Sequence, residues 1–573
     1  MSAKYPRRFV PVELDPSEWS QIEPLADNLR QRDLQDLAAA ERFLLDFSEL
    51  TSVIDEFGTR RYIEKSCHTE DESIEKAFLH YVENIEPKLK QLTFDLQRKF
   101  CGSSIASDLA AREGRYAMLL RSWKAEVDLF REENVPLETE CTRIVADYDK
   151  VCGAMMVTFD GKELTLQQLA TYLESNNPGV RQESWKLGTA RRLRDRSRID
   201  ELFERIVRVD GQIAANAGCS NFMEWSWKSL KRFDYTPEDC ARFAHSIERC
   251  VVPCVEELNR SRARAMGIPA PRPWDLKCDV FEREQLRPFD PSDVDGFVSR
   301  TARIFGRLSP QLAAQFESLR AHGDLDLGSR RGKQPGGYQS TLNESRRPFI
   351  FMNAAGTHGD VETLLHEGGH AFHAIASAEE PLVFLRRAPI EFCEVASMSM
   401  ELFAEPHLDE FYPNPEDANR ARRAHLEGIL RFFPWMAVID QFQHWLYTTP
   451  SPPTGAERDR KWVELHSRFD RGVDWTGLED ARQALWQRQM HLFHVPFYYV
   501  EYGIAQLGAL QLWLKSRTDP AGALAAYRAA LRLGGTRPLP ELFAAAGIVF
   551  DFSLRTLEPL VNAVREELEQ LPS

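Results

Sequence analysis

The chain lacks the marks of several protein classes. No run approaches the roughly 20 consecutive apolar residues that a membrane-spanning helix needs, and no apolar stretch follows the opening Met1-Ser-Ala-Lys-Tyr-Pro-Arg-Arg. A secretory leader and a membrane anchor are therefore not expected, and the default compartment is the cytoplasm. Two Asn-x-Ser sequons, at Asn259 and Asn343, carry little meaning without secretion. Positive charge is also in short supply. Lys and Arg number 72 against 87 Asp and Glu, a formal net charge of −15. That balance excludes the basic footprint of a nucleic-acid binder and disfavours an anionic membrane surface. No Cys-x-x-Cys pair occurs among the ten cysteines, at 67, 101, 141, 152, 219, 240, 250, 254, 278 and 393. Scattered cysteines in a chain of this length read as reduced, mostly buried thiols. Cys250 and Cys254, one helical turn apart beside Pro253, read as packing residues. No fixed-period repeat is present, which excludes a solenoid.

Helical periodicity is what the chain does have. Leu37 to Phe57, Ile74 to Phe100 and Leu109 to Arg131 carry apolar residues every three or four positions. Long helices are expected again from about Val180 to Ala217 and from Pro237 to Met266. A short hairpin interrupts this pattern: Met155-Met-Val-Thr-Phe, then Asp160-Gly161, then Lys-Glu-Leu-Thr. Asn176-Asn-Pro-Gly179 marks a break, giving an expected helical domain with a short hairpin over 1–175 and a catalytic domain over 176–573. At Leu325 to Asn353 the pattern changes once more. Glycines punctuate two β-like runs, Tyr338-Gln-Ser-Thr-Leu and Phe349-Ile-Phe-Met-Asn. Thr357-His-Gly-Asp360 then caps a helix starting near Val361. A Pro-rich loop, Thr448 to Thr454, breaks the helical remainder.

The capped helix holds His366-Glu367-Gly368-Gly369-His370. Residues i and i+4 share one helix face, so both imidazoles can reach a single zinc ion, with Glu367 beside them as general base. The paired glycines cost helix stability, roughly 1 kcal/mol each relative to alanine, and admit close approach of a neighbouring chain or substrate. The competing reading is a helix with two unrelated histidines. A hydrolytic zinc site takes three protein ligands. His373 and Ala376 stand where a metzincin needs glycine and histidine, which excludes that class. The third ligand is sought in Glu391-Phe-Cys-Glu394-Val-Ala-Ser-Met-Ser-Met-Glu401, whose three acids share one helical face; spacing alone does not choose among them. Glu362, one turn before His366, is either a hydrogen-bond partner of a ligating histidine or an acid favoured by the helix dipole. His373 is read as a packing or supporting residue.

These segments resemble the oligoendopeptidase F family, metallopeptidases related to thimet oligopeptidase. Gly332-Lys-Gln-Pro-Gly-Gly-Tyr338 resembles the family's glycine-rich approach to the site. Pro348-Phe-Ile-Phe-Met-Asn353 with Gly356-Thr-His-Gly-Asp360 resembles the strand and loop before the motif helix, and His366 to His373 that helix itself. Glu394-Val-Ala-Ser397 resembles the segment supplying the third ligand, and its separation of 394 − 366 = 28 positions fits. The similarity runs from about Leu173 through Tyr502. The resemblance selects Glu394, giving His366, His370 and Glu394 as ligands of one zinc ion. It implies a mainly α, two-lobed, zincin-like fold around a deep channel, with a small β element beside the motif helix. It also draws attention to His491-Leu-Phe-His494-Val-Pro-Phe-Tyr498-Tyr499-Val-Glu-Tyr502. There His491 and one tyrosine, Tyr502 ahead of Tyr498 and Tyr499, are implied to stabilise an oxyanion. The implied activity is endopeptidase cleavage of short oligopeptides. By β-augmentation, the substrate backbone is expected to pair with the edge of the strand Phe349 to Met352. Alternatives are a zinc carboxypeptidase or dipeptidyl carboxypeptidase on a similar body, or an inactive helical peptide-binding protein. A nucleotide site at Gly328-Ser-Arg-Arg-Gly332-Lys333 is discounted, being too short for a P-loop and lacking Ser or Thr after the lysine. The oligomeric state is not legible in the sequence.

Overall fold

The structure, a computed structural model, describes residues 5–572. Helices dominate, but three of the expected long ones are broken, each at an identifiable place. Ile74 to Phe100 resolves into Glu72–His80, a π-helical turn Tyr81–Ile85, and Glu86–Cys101. Pro87 lacks the N–H that an α-helical bond to Glu83 would need, and the ladder slips by one, with Glu86 N–H on the Tyr81 carbonyl. Leu109 to Arg131 divides into Ser104–Arg112 and Gly114–Leu129 because Glu113 is extended (φ −138°, ψ 125°). Val180 to Ala217 divides at Asp195 into Pro178–Arg194 and Arg196–Asn216. Pro237–Met266 is continuous, as expected, and stops at Gly267 in the left-handed region (φ 66°). All ten cysteines are free thiols. Among the described residues no helix is long and apolar enough to cross a membrane.

Apolar side chains collect in two main cores. One is built from residues between Val10 and Trp123, joined by Leu382 and Leu385 from much later in the chain. The other runs from Leu129 to Leu571 and surrounds the motif helix. The hairpin forms as expected from Met156–Phe159 (β1) and Lys162–Thr165 (β2), with Asp160 and Gly161 both at positive φ. Its Val157 and Phe159 lie in the second core.

Three strands form the sheet beside the motif helix: Leu325–Gly328 (β3), Tyr338–Leu342 (β4) and Arg347–Ala354 (β5). The order is β3-β5-β4, with β5 parallel to β3 and antiparallel to β4. β3 is not among the strands expected from the sequence, and the free edge lies on a different strand from the expected one. Phe349 to Met352 lies in the central strand: Ile350 is opposite Leu325 on one side and Gln339 on the other. No substrate can add to that edge. The unbroken apolar run is the signature of a strand buried on both faces. Ile350 and Met352 enter the core around the motif helix, while Phe349 and Phe351 join Ile63 and Cys67 of helix Leu37–Cys67. Among the described residues no strand pairs with the outer edge of β4. Lys333 ties the glycine-rich loop down, donating to the carbonyls of Gly328 (2.9 Å) and Met352 (2.6 Å), a structural role unlike that of a P-loop lysine.

Candidate metal centre and active site

The motif helix, His358–Ala376, begins in a reciprocal capping box: Thr357 Oγ1 accepts from Asp360 N–H (3.3 Å), and the Asp360 carboxylate accepts from Thr357 N–H (2.8 Å). The helix Ile390–Ala404 crosses it, buried nearly all round. Gly369 explains how close the crossing is, and Gly368 faces a third helix, Val294–Leu308. A Cβ on Gly369 would lie 2.5 Å from Ser397 Cα and 2.6 Å from the Ala396 carbonyl oxygen, and one on Gly368 would lie 2.7 Å from the Phe305 ring. The two glycines thus serve helix-to-helix contact. Gly369→Ala is expected to drive the helices apart at an overpacking cost of about 1–3 kcal/mol. Since Glu394 rides on the second helix, the variant should lose metal affinity as well as Tm. A thermal melt and a metal titration read the two effects, and a variant with unchanged metal affinity would refute the coupling.

That crossing brings His366, His370 and Glu394 together, with one ligand atom of each within 4.8 Å of the others. Glu394 Oε2 lies 3.4 Å from His366 Nε2 and 3.6 Å from His370 Nε2. The set fits a divalent ion. Burial holds His370 at a pKa of about 4, the neutral form a metal requires. Burial would raise the Glu394 pKa, but the hydrogen bonds with His366 and Ser397 and the charge of His366 outweigh it and keep the carboxylate ionised. His366 donates through Nδ1 to Glu401 Oε1 at 2.6 Å, leaving Nε2 directed at Glu394.

The three acids on the second helix have separate tasks. Glu394 alone of them joins the histidines. Glu401 orients His366 and also receives His425 Nε2 (3.0 Å), whose Nδ1 meets Glu405 (2.8 Å). Burial opposes ionisation of Glu401, but the bonds to His366 and His425 prevail and set its pKa to about 2. Glu391 points elsewhere, accepting from Tyr235 Oη at 2.7 Å. Glu362 does not contact the distal nitrogen of either motif histidine; it lies 3.3 Å from His358 Nε2. His373 is buried against Phe392 with Nε2 unpartnered, a packing residue. The His425–Glu405 extension was missed. No local signal reveals it, since His425 sits on a different helix, Pro415–Thr448.

Glu367 is 7% exposed, and burial pushes its pKa up to about 7. The backbone N–H of Gln339 donates to it. The outer edge of β4 and the carboxylate therefore lie side by side.

His491 opens a short helix, His491–His494, and the tyrosines begin the helix Tyr499–Ser516. Gln489 donates through Nε2 to His491 Nδ1 (2.8 Å), which leaves Nε2 as the protonated, donating nitrogen. Rings of Tyr498, Tyr499 and Tyr502 lie 6.4, 4.8 and 6.0 Å from the His491 ring. The Glu394 charge acts on Tyr498 and Tyr502, which burial chiefly keeps protonated, whereas the Tyr499 hydroxyl bonds to Trp435. His494 turns outward to Asp149 (2.9 Å). Between the two helices Phe497 adopts φ 68°, a conformation that costs a bulky residue on the order of 1–3 kcal/mol. It is held from both sides: its N–H donates to Gln443 Oε1, and its carbonyl accepts from Arg232, which is itself paired with Glu501 at 2.9 Å in full burial. Arg232 and Glu501, neither of them a candidate from the sequence, anchor the turn that aims the tyrosines. A second group, Cys240, Asp440 and His444, also brings ligand-type atoms within 4.8 Å.

Known proteins share this architecture. The model of peptidase family M3 matches residues 171–558, and that of the peptidase M3 N-terminal domain matches residues 9–130. The oligoendopeptidase F homolog of Mycoplasma pneumoniae is 20% identical over 428 residues, covering 68% of this chain; the match spans 66% of that relative's length. PZ peptidase A, solved with an inhibitor, is 27% identical with a TM-score of 0.88, covering 98% of this chain and 99% of its own. A chain assigned as oligoendopeptidase F and solved at 3.1 Å is 28% identical with a TM-score of 0.87, covering 99% of both. The mainly helical fold expected from the sequence is the fold of these structures. With the family match running over more than half of its length, this chain belongs to peptidase family M3.

Proposed function

We propose that the protein is a zinc-dependent endopeptidase that hydrolyses internal bonds of short oligopeptides. The observation that carries this reading is the convergence of His366, His370 and Glu394 beside Glu367 and an unpaired strand edge. Zinc, when bound, would lower the pKa of a water molecule and polarise the scissile carbonyl. Everything else falls to the chain. The outer edge of β4 receives the peptide backbone by strand addition. Glu367 takes the proton of the attacking water and returns it to the leaving amine. His491, through its Nε2 hydrogen, and Tyr502 donate to the oxygen that gains charge. Glu401 holds His366 in the tautomer that ligates, and His425 and Glu405 hold Glu401 in turn. The compartment is proposed to be the cytoplasm, with neither nucleic acid nor membrane as partner.

An internally quenched peptide with a blocked C-terminus tests the reading. Cleavage at an internal bond that chelator abolishes and zinc restores is the expected result. Strict dependence on a free C-terminus would favour a carboxypeptidase, and chelator-insensitive cleavage would overturn the metal role. Zinc should be recovered at one ion per chain; two would bring Cys240, Asp440 and His444 into use. Tyr502→Phe is expected to lower kcat by about 10²-fold at unchanged zinc content. Tyr499→Phe should cost less, because the charge of Glu394 acts on Tyr502 and Tyr498 and is not felt at Tyr499. Equal losses in the two variants would remove Tyr502 from the mechanism.

A further inference from the structure

Two arginines line one pocket, and among the described residues no carboxylate pairs with either. Arg192 sits near the end of helix Pro178–Arg194, and Arg488 ends the 3₁₀ turn Leu485–Arg488. Both line a cavity of about 140 Å³ whose other walls include Leu166, Leu169, Trp185 and Leu485. The single charge acting on Arg488 is that of Arg192, a repulsion. Arg192 faces only the Cys152 thiol and the Tyr148 phenol besides. Arg488 stays open to solvent, although protein crowds it closely enough that burial is the larger cause of its lowered pKa. Cations left together without a carboxylate in such a recess gain most from an anion supplied from outside.

The pocket is coupled to the reaction site. Arg488 Cζ lies 5.5 Å from the Trp435 ring centroid, Trp435 Nε1 donates to Gln489 Oε1 (3.2 Å), and Gln489 Nε2 donates to His491 Nδ1. Tyr499 bonds to the same tryptophan. An anion at Arg488 thus sits one residue from the amide that sets the His491 tautomer. The walls narrow the choice of anion. Two guanidinium groups on the wall of one cavity fit a carboxylate, and the leucines and Trp185 beside them fit one apolar side chain. A terminal residue presents both together, its carboxylate and its side chain being carried on one Cα.

We propose that Arg192 and Arg488 form a subsite for the free C-terminal carboxylate of the peptide, with an apolar last residue beside it. This deepens the oligopeptidase reading and rests on it: short peptides are favoured because their terminus reaches this pocket while an internal bond lies at Glu367.

The test uses three versions of one quenched peptide: C-terminal acid, C-terminal amide, and amide with an added internal Glu. The expected result is an acid-to-amide ratio in kcat/KM of about tenfold, carried by KM, with the same bond cut in both. Arg488→Gln and Arg192→Gln should each bring the ratio toward one, and Arg488→Lys should keep part of it. Equal cleavage of acid and amide by the wild type overturns the proposal. So does a preference that follows the internal Glu, or one that survives both glutamine variants. If no version is cut, it is the endopeptidase reading that fails. The subsite is then read by calorimetry on the wild-type protein: tighter binding of the acid peptide supports it, and equal binding overturns it.

Discussion

Glu367→Gln should bind zinc at the wild-type level and lose on the order of 10³-fold in kcat or more. The side chain keeps its shape and its neighbour, so the motif helix has no reason to move. Glutamine can still accept from the Gln339 N–H that now meets the carboxylate. It cannot take a proton. Burial is the chief cause that raises the Glu367 pKa to about 7, and the Glu394 charge adds to it, while the His366 charge works the other way. That range suits a group that must accept a proton from water and then release it to an amine. Elemental analysis and a quenched-peptide assay on the same preparation read both quantities. Turnover within tenfold of wild type would remove Glu367 as the base. Loss of zinc would instead show that it supports the ligands.

The local features of this site were written in short stretches of sequence. The i, i+4 histidines, the Thr357–Asp360 box and the Asp160-Gly161 hairpin are each fixed by residues a turn or less apart. The buried strand Phe349 to Met352 was legible as a strand, but its neighbours were not. Whether an apolar run lies at an edge or in the centre depends on β3 and β4, which reach it across loops. The helix breaks at Glu113 and Asp195 were hidden for a related reason. Apolar periodicity continues through them, and only the backbone angles reveal that the chain turns. Most opaque were His425, Glu405, Arg232 and Glu501. Their meaning comes from partners 24, 20 and 269 positions distant, in the pairs His425–Glu401, His425–Glu405 and Arg232–Glu501. Periodicity carries no trace of such pairings.

The choice among Glu391, Glu394 and Glu401 is where family resemblance and geometry bear on one question, and zinc content decides it. Glu394→Ala is expected to leave the purified protein without stoichiometric zinc and without measurable turnover. Removing one of three ligands leaves two imidazoles one turn apart, too few donors for a hydrolytic zinc site. Glu401→Gln should act more gently, weakening zinc by about 10–100-fold, because it alters the orientation of His366 and not the ligand count. Glu391→Gln should retain zinc, since that carboxyl group is hydrogen-bonded to Tyr235 and lies outside the ligand cluster. The ordering matters more than any single value. The loss at Glu394 comes from coordination, that at Glu401 from a hydrogen bond to a ligand, and Glu391 sits with the buried Arg232 that fixes the tyrosine turn. For Glu391→Gln the expected damage is therefore a lower Tm and a lower kcat at full zinc occupancy. If Glu394→Ala kept its zinc while Glu401→Gln lost it, the third ligand would be Glu401. The contacts of 3.4 and 3.6 Å between Glu394 and the two histidines would then be no more than packing.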